Sequence, residues 1–175
     1  MVAVAIFILL VAGMVSSNMF GLRMFQIEQA KLNASDGARK IVGVLMDEIR
    51  SCDSYQIGTV STNGTFTALS LGATQSGPAL IVFPTPNSTT NFIVYYVNSK
   101  DQKFRRATDM KNSTRVLAGS VTNTTDLFRA QDYAGNVVTN ILDNTVLHLK
   151  LEFYQTSRFG VMPDYYKLET SATRR

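Results

Sequence analysis

The chain has 175 residues, 45% of them hydrophobic, with 17 Lys and Arg against 13 Asp and Glu. The basic excess is local, because six basic and two acidic residues lie between Lys100 and Arg115 and leave 11 of each elsewhere, which excludes a positive footprint spread over a nucleic-acid-binding face. The single cysteine, Cys52, excludes an intrachain disulfide and a cysteine-built metal site.

The first 22 residues, MVAVAIFILLVAGMVSSNMFGL, carry no charge, and Arg23 is the first that does. At ~1.5 Å per residue the run reaches ~33 Å, about the hydrocarbon thickness of a bilayer, and Arg23 falls where such a span enters the interface. No Lys or Arg precedes the apolar run, which is also long for an h-region, so a conventional cleaved signal is not expected. Within the run Gly13, Ser17 and Gly21 lie four apart, and Ala5 falls eight residues before Gly13 on the same face. Helices in lipid associate by packing, and small residues let their backbones approach, so these four are the candidate assembly residues.

From Ile27 the pattern changes. Ile27, Ala30, Ala34, Ala38, Ile41, Leu45 and Ile49 recur at steps of three and four, the stripe of an amphipathic helix. Charged residues fill most other positions, with Asp47-Glu48 assigned to the exposed face. Asp36-Gly37 predicts a kink or a second helical start, since glycine costs ~1 kcal/mol against alanine inside a helix. Ser51-Cys52-Asp53-Ser54 ends the pattern. Helical throughout, residues 1 to 51 make a rod of ~75 Å. A domain of the roughly 150 residues outside a membrane span cannot bury it, so half of the rod must lie in something else. The expected organisation is residues 1–22 as the membrane and assembly half of the helix, 23–52 as its amphipathic half, and 53–175 as the domain.

The remainder reads as strands. Phe66–Leu71, Ala79–Phe83 and Phe92–Val97 are short β-branched or aromatic runs bounded by Gly, Pro, Asn and Ser. Residues 85–91 form a loop by composition, and Asn98-Ser99-Lys100-Asp101-Gln102 is the turn of a hairpin whose return strand carries Phe104, Arg105 and Arg106. Val146–Phe153 is the cleanest strand, with Leu147, Leu149, Leu151 and Phe153 alternating with His148, Lys150 and Glu152. Tyr166, Leu168 and Thr170 repeat that alternation against Tyr165, Lys167 and Glu169. One dry and one wet face predict an antiparallel sheet with the helical stripe covering its dry face, an α+β fold.

No catalytic, cofactor-binding or metal-ligating set can be nominated. His148, the only histidine, alternates with leucines on the wet face of its strand, so it reads as a surface residue. Phosphate-loop, G-x-S-x-G, H-E-x-x-H and calcium-loop patterns do not occur. The Lys100–Arg115 cluster has one interleaved aromatic, Phe104, and is diluted by Asp101 and Asp109, which favours a solvated hairpin over an anion site. Sequons occur at Asn33, Asn63, Asn87, Asn112 and Asn123. They support an alternative, a signal-anchored envelope or extracellular domain, glycosylated, that binds a ligand through its sheet. An envelope enzyme is a third reading with no residues to carry it.

The opening MVAVAIFILL resembles the continuation of the type IV prepilin signature, G-F-T-L-V-E-L-M-V-A-V-A-I, whose second half matches Met1-Val2-Ala3-Val4-Ala5-Ile6. Asp47-Glu48-Ile49-Arg50, the run Phe92–Val97 followed by Phe104-Arg105-Arg106, and the closing residues 168–175 resemble the larger minor pilins and J-type minor pseudopilins. The resemblance implies a pilin-like fold and a structural, non-enzymatic subunit of a type IV pilus or type II secretion pseudopilus, without cofactor. It implies a single-pass protein of the bacterial inner membrane, with its C-terminal domain in the periplasm or on an extracellular filament. Its partners would be membrane lipid before assembly and other pilin or pseudopilin subunits afterwards, with no nucleic acid. The leader, the glycine cut by the prepilin peptidase, the N-methylated phenylalanine and the assembly glutamate of that signature would lie upstream of Met1, where the true start is expected.

Overall fold

The computed structural model describes residues 2–61, 64–86, 90–108, 113–142, 144–156 and 163–174. Among these residues one helix, α1 (Val2–Ser51), is followed by ten strands, all paired antiparallel. The strands are β1 (Ser54–Val60), β2 (Phe66–Ala68), β3 (Ser76–Gly77), β4 (Ala79–Phe83), β5 (Ile93–Asn98), β6 (Lys103–Thr108), β7 (Ser113–Ala118), β8 (Phe128–Gln131), β9 (Val146–Thr156) and β10 (Pro163–Thr173). The class is α+β.

α1 runs through Asp36-Gly37 as one element, so a second helical start there is not present. A single glycine weakens a helix by ~1 kcal/mol, which the turns on either side outweigh. The C-terminal end is closed locally. The Ser51 hydroxyl donates to the Asp47 carbonyl at 2.7 Å, the Cys52 N–H to the Ile49 carbonyl at 3.4 Å, and Arg50 places a positive charge at the negative end of the helix dipole. Cys52 is buried, and its thiol donates to the same Ile49 carbonyl.

The strands form two sheets where one was expected: six strands in the order β2-β1-β4-β5-β6-β7 and four in the order β10-β9-β8-β3. The reason is geometric. Four turns of helix cannot cover the dry face of six strands, and the leucine-rich face of β9 supplies the rest of the cover. The sheets meet where β3 and β8 touch β1, and α1 lies against β7 and β10, their far edges. Close approach at the first junction depends on glycine: a Cβ on Gly77 would stand 2.7 Å from the Gly58 carbonyl oxygen. Ala38, Ile41, Leu45 and Ile49 of the helix enter one core with Ile57, Tyr95, Phe104, Phe128, Leu149 and Phe153. Burying such a side chain is worth about 2 kcal/mol, so this short contact fastens helix to domain.

Ala79–Phe83 is β4 to the residue, the strand expected at 92–97 is β5 one residue later, and Val146–Phe153 is β9 with three more residues. The run expected from Phe66 to Leu71 shortens to β2, because the chain turns away after Leu69. The Asn98–Gln102 turn is present, with Gln102 at φ 54° donating its N–H to the Asn98 carbonyl at 2.9 Å.

Candidate functional site

The apolar stripe does not pack along its whole length. Among the described side chains the first buried one is Ala38, and all residues from Val2 to Phe25 are exposed, among them Phe7, Leu9, Leu10, Met14, Phe20 and Phe25. Val2–Gln29 is long and apolar enough to cross a membrane. Residues 2–37 make ~54 Å of helix ahead of that first buried side chain.

Ala5, Gly13, Ser17 and Gly21 all lie on this free half and are exposed. A Cβ added at Gly13 or Gly21 meets nothing within 4 Å, so the fold of this chain gives neither glycine a packing reason. At 100° per residue Gly13, Ser17 and Gly21 follow the i±4 ridge and wind through ~80°, a short groove that the exposed Leu9 separates from Ala5. Among the described residues no other element comes within 4 Å of a Cβ at Gly13 or Gly21.

The opposite end of the helix holds a polar cluster that the sequence reading misplaced. Glu48 was expected on the exposed face; instead it is half-buried, at 21% side-chain exposure, over the six-stranded sheet. Arg106 donates to it from Nε at 3.0 Å and Nη2 at 2.6 Å, and the Tyr95 hydroxyl donates to its other oxygen. Tyr95 and Arg106 are direct cross-strand partners, and alternation puts Arg106 on the same face as Phe104. Burial, then the hydrogen bond to Glu48, pushes the Tyr95 hydroxyl far above the ordinary tyrosine range. Burial works against the charge of Arg106, but the Glu48 carboxylate outweighs it and holds the guanidinium above its ordinary value. A signal for this cluster was present: Ile27, Ala34, Ile41 and Glu48 are seven apart, so Glu48 continues a row of the apolar stripe.

The basic cluster is consequently not a uniform solvated patch. Arg106 is committed to Glu48, and Arg105 pairs with Asp101 across the hairpin turn. Asp109 and Lys111 lie outside the described residues. His148 sits on the outer face of its sheet, within 3.0 Å of the Ser171 hydroxyl, and partial burial lowers its pKa below the usual histidine value.

Asn63, Asn87 and Asn112 lie outside the described residues, as does the side chain of Asn33. Asn123 is described, and it is engaged. Its Nδ2 donates to the Lys150 carbonyl at 2.6 Å and its Oδ1 accepts the Glu152 N–H at 2.8 Å, so the amide substitutes for a ladder rung against β9. A glycan at Nδ2 would break that rung. Asn123→Ala is expected to destabilise the domain by about 1 to 2 kcal/mol, read as a lowered midpoint in urea with an unchanged slope.

Set against protein-family models, curated proteins and solved structures, the chain matches none.

Proposed function

We propose that the chain is a structural subunit of a type IV pilus or type II secretion pseudopilus, a pilin-like minor pilin or pseudopilin whose work is assembly rather than catalysis. The observation that carries this reading is the division of α1: its last four turns are fastened into the β domain, and the preceding residues from Val2 to Phe25 expose an apolar surface that the domain leaves uncovered. Water is a poor solvent for such a surface. Lipid satisfies it in a subunit stored as a single-pass protein of the bacterial inner membrane, and the helices of neighbouring subunits satisfy it in a filament. Transfer between the two never exposes the helix to water. The Gly13, Ser17 and Gly21 groove, with Ala5 beyond Leu9, is the part of that surface fitted to close helix contact, and the β domain faces outward.

The resemblance of Met1-Val2-Ala3-Val4-Ala5-Ile6 to the prepilin signature supports the same reading independently of the geometry. A test uses the buried position of Cys52, which leaves an introduced cysteine as the reactive one. With Met14→Cys expressed in the native host, oxidation is expected to cross-link the chain to another subunit in sheared filaments. Recovery only as an uncross-linked membrane monomer overturns the assembly reading.

A further inference from the structure

The free half of α1 leaves the β domain at a definite pole. Just past the helix, the Asp53 N–H donates to the Phe83 carbonyl at 2.9 Å, which fixes the helix end at one end of the six-stranded sheet. Glu48 bonds to Tyr95 and Arg106, and their rung on β4 is Leu80, three residues in from Phe83. Passing back along α1 therefore means passing along the sheet toward the Asn98–Gln102 turn. The helix emerges beside that turn.

The β9–β10 ribbon runs the same way. At one end Arg174 donates to the Asp53 carbonyl. At the other, the Val121 N–H reaches the Gln102 carbonyl at 2.9 Å and the Tyr154 N–H the Ser120 carbonyl at 3.0 Å, so Phe153 and Tyr154 lie beside the turn. Pairing continues beyond them to Thr156 and Pro163. From Thr173 to Pro163 the ribbon covers ~33 Å at ~3.3 Å per residue. From Ser51 back to Gln29, where the segment of membrane-crossing length ends, α1 also covers ~33 Å. β10 lies against α1, so the ribbon reaches to the level at which the helix enters a bilayer.

We propose that this pole of the β domain rests on the surface of the bilayer that α1 crosses, with Tyr154 and Tyr165 in the headgroup layer and Lys100 and Lys103 on anionic phospholipid. The proposal builds on the reading of the chain as a membrane-stored subunit. Tyr154 and Tyr165 are cross-strand partners, and both are exposed. The Tyr165 hydroxyl donates to Glu152, which leaves its ring as the outward surface. A tyrosine ring suits the headgroup layer because it is apolar with a polar edge. On the same face Lys150 pairs with Glu152 at 2.6 Å and Lys167 with Glu169 at 2.8 Å, so those four charges cancel. At the turn they do not. Arg105 takes Asp101, and Lys100 and Lys103 stand exposed with their charge in excess. Each lysine near an anionic surface favours contact about fivefold.

The test uses the full chain in phosphatidylcholine vesicles, with and without about a third phosphatidylglycerol, and a lipid bearing a nitroxide quencher on its headgroup. Because Cys52 is buried, fluorophores go on single introduced cysteines. Ser99→Cys reports the turn, Met24→Cys the end of the span, and Leu71→Cys the opposite pole, where exposed Leu71 lies near Ser54 and Tyr55. In anionic vesicles the Ser99 label is expected to be quenched nearly as strongly as the Met24 label, and the Leu71 label not. Lys100→Gln with Lys103→Gln should lower the docked-to-free ratio about thirtyfold, and Lys100→Arg with Lys103→Arg should leave it unchanged. Tyr154→Ser with Tyr165→Ser should lower it in both kinds of vesicle. Equal quenching at Ser99 and Leu71, an unquenched Ser99 label in anionic vesicles, or an unchanged ratio in the glutamine or the serine variant overturns the proposal. If the Met24 label is still quenched then, the membrane-stored reading stands; if that label too is unquenched, both fail.

Discussion

On the proposed assembly role, Gly13→Arg is expected to lower incorporation into filaments about a hundredfold, beyond detection in a pull-down with sister subunits. Gly13 lies near the middle of the Val2–Gln29 span. An arginine at the centre of a bilayer costs about 3 kcal/mol on insertion scales, close to two factors of ten in an equilibrium. The same charge opposes close helix contact, because its desolvation is compensated by nothing on the groove. The β domain should be untouched: position 13 is 25 residues before the first buried helix residue, Ala38, and a side chain there meets nothing in the chain. Its urea midpoint is expected to equal that of the parent. Gly13→Leu separates the two roles of the helix. It keeps the span apolar and inserts normally, but fills the groove and should weaken incorporation alone. Normal incorporation of Gly13→Arg would count against the assembly function.

Glu48→Ala is expected to destabilise the domain by about 3 kcal/mol, the largest effect of any single change outside the apolar core. Two losses contribute, and they are unequal. Arg106 retains 25% side-chain exposure and can turn toward water, which limits the loss of its ion pair to about 1 kcal/mol. Tyr95 is fully buried and cannot move its hydroxyl to solvent, so an unsatisfied donor costs about 2 kcal/mol more. The double variant Glu48→Ala with Tyr95→Phe should therefore recover a large share of the stability, giving a coupling energy of about 1 to 2 kcal/mol in a double-mutant cycle. Urea unfolding of the four proteins measures it. Additive losses would mean that the Tyr95 hydroxyl finds another acceptor and that apolar packing alone sets the helix in place.

What was legible in the sequence follows from how local each signal is. Ala79–Phe83 is an unbroken apolar run inside a sheet, and β9 alternates over eight residues; both announce themselves without knowledge of their partners. β1 does not. Ser54–Val60 mixes Gln56, Gly58 and Thr59 among its inward residues and is a strand because β4 and β2 flank it. β7 and β8 are likewise short, polar segments formed by pairing. The second sheet was missed for the same reason, since its existence depends on β3 and β8, six residues in all. The placement of Glu48 failed on a different principle. Charge was read as exposure, whereas a carboxylate in the apolar row is stable there only because Tyr95 and Arg106 arrive from strands 47 and 58 positions away. The free half of the helix was legible throughout, because its properties are those of one uninterrupted segment.

Those unequal halves of α1 have a mechanical consequence. The packed turns act as a short stub held at a fulcrum, and the Glu48 cluster is a stay beside it that resists swivel. Beyond the fulcrum stands a lever arm of ~54 Å, so a rotation of 10° at the joint sweeps its tip through ~9 Å, about the spacing between neighbouring helix axes. Loosening a single carboxylate thus need not unfold anything to misdirect the far end of the molecule by one whole helix position.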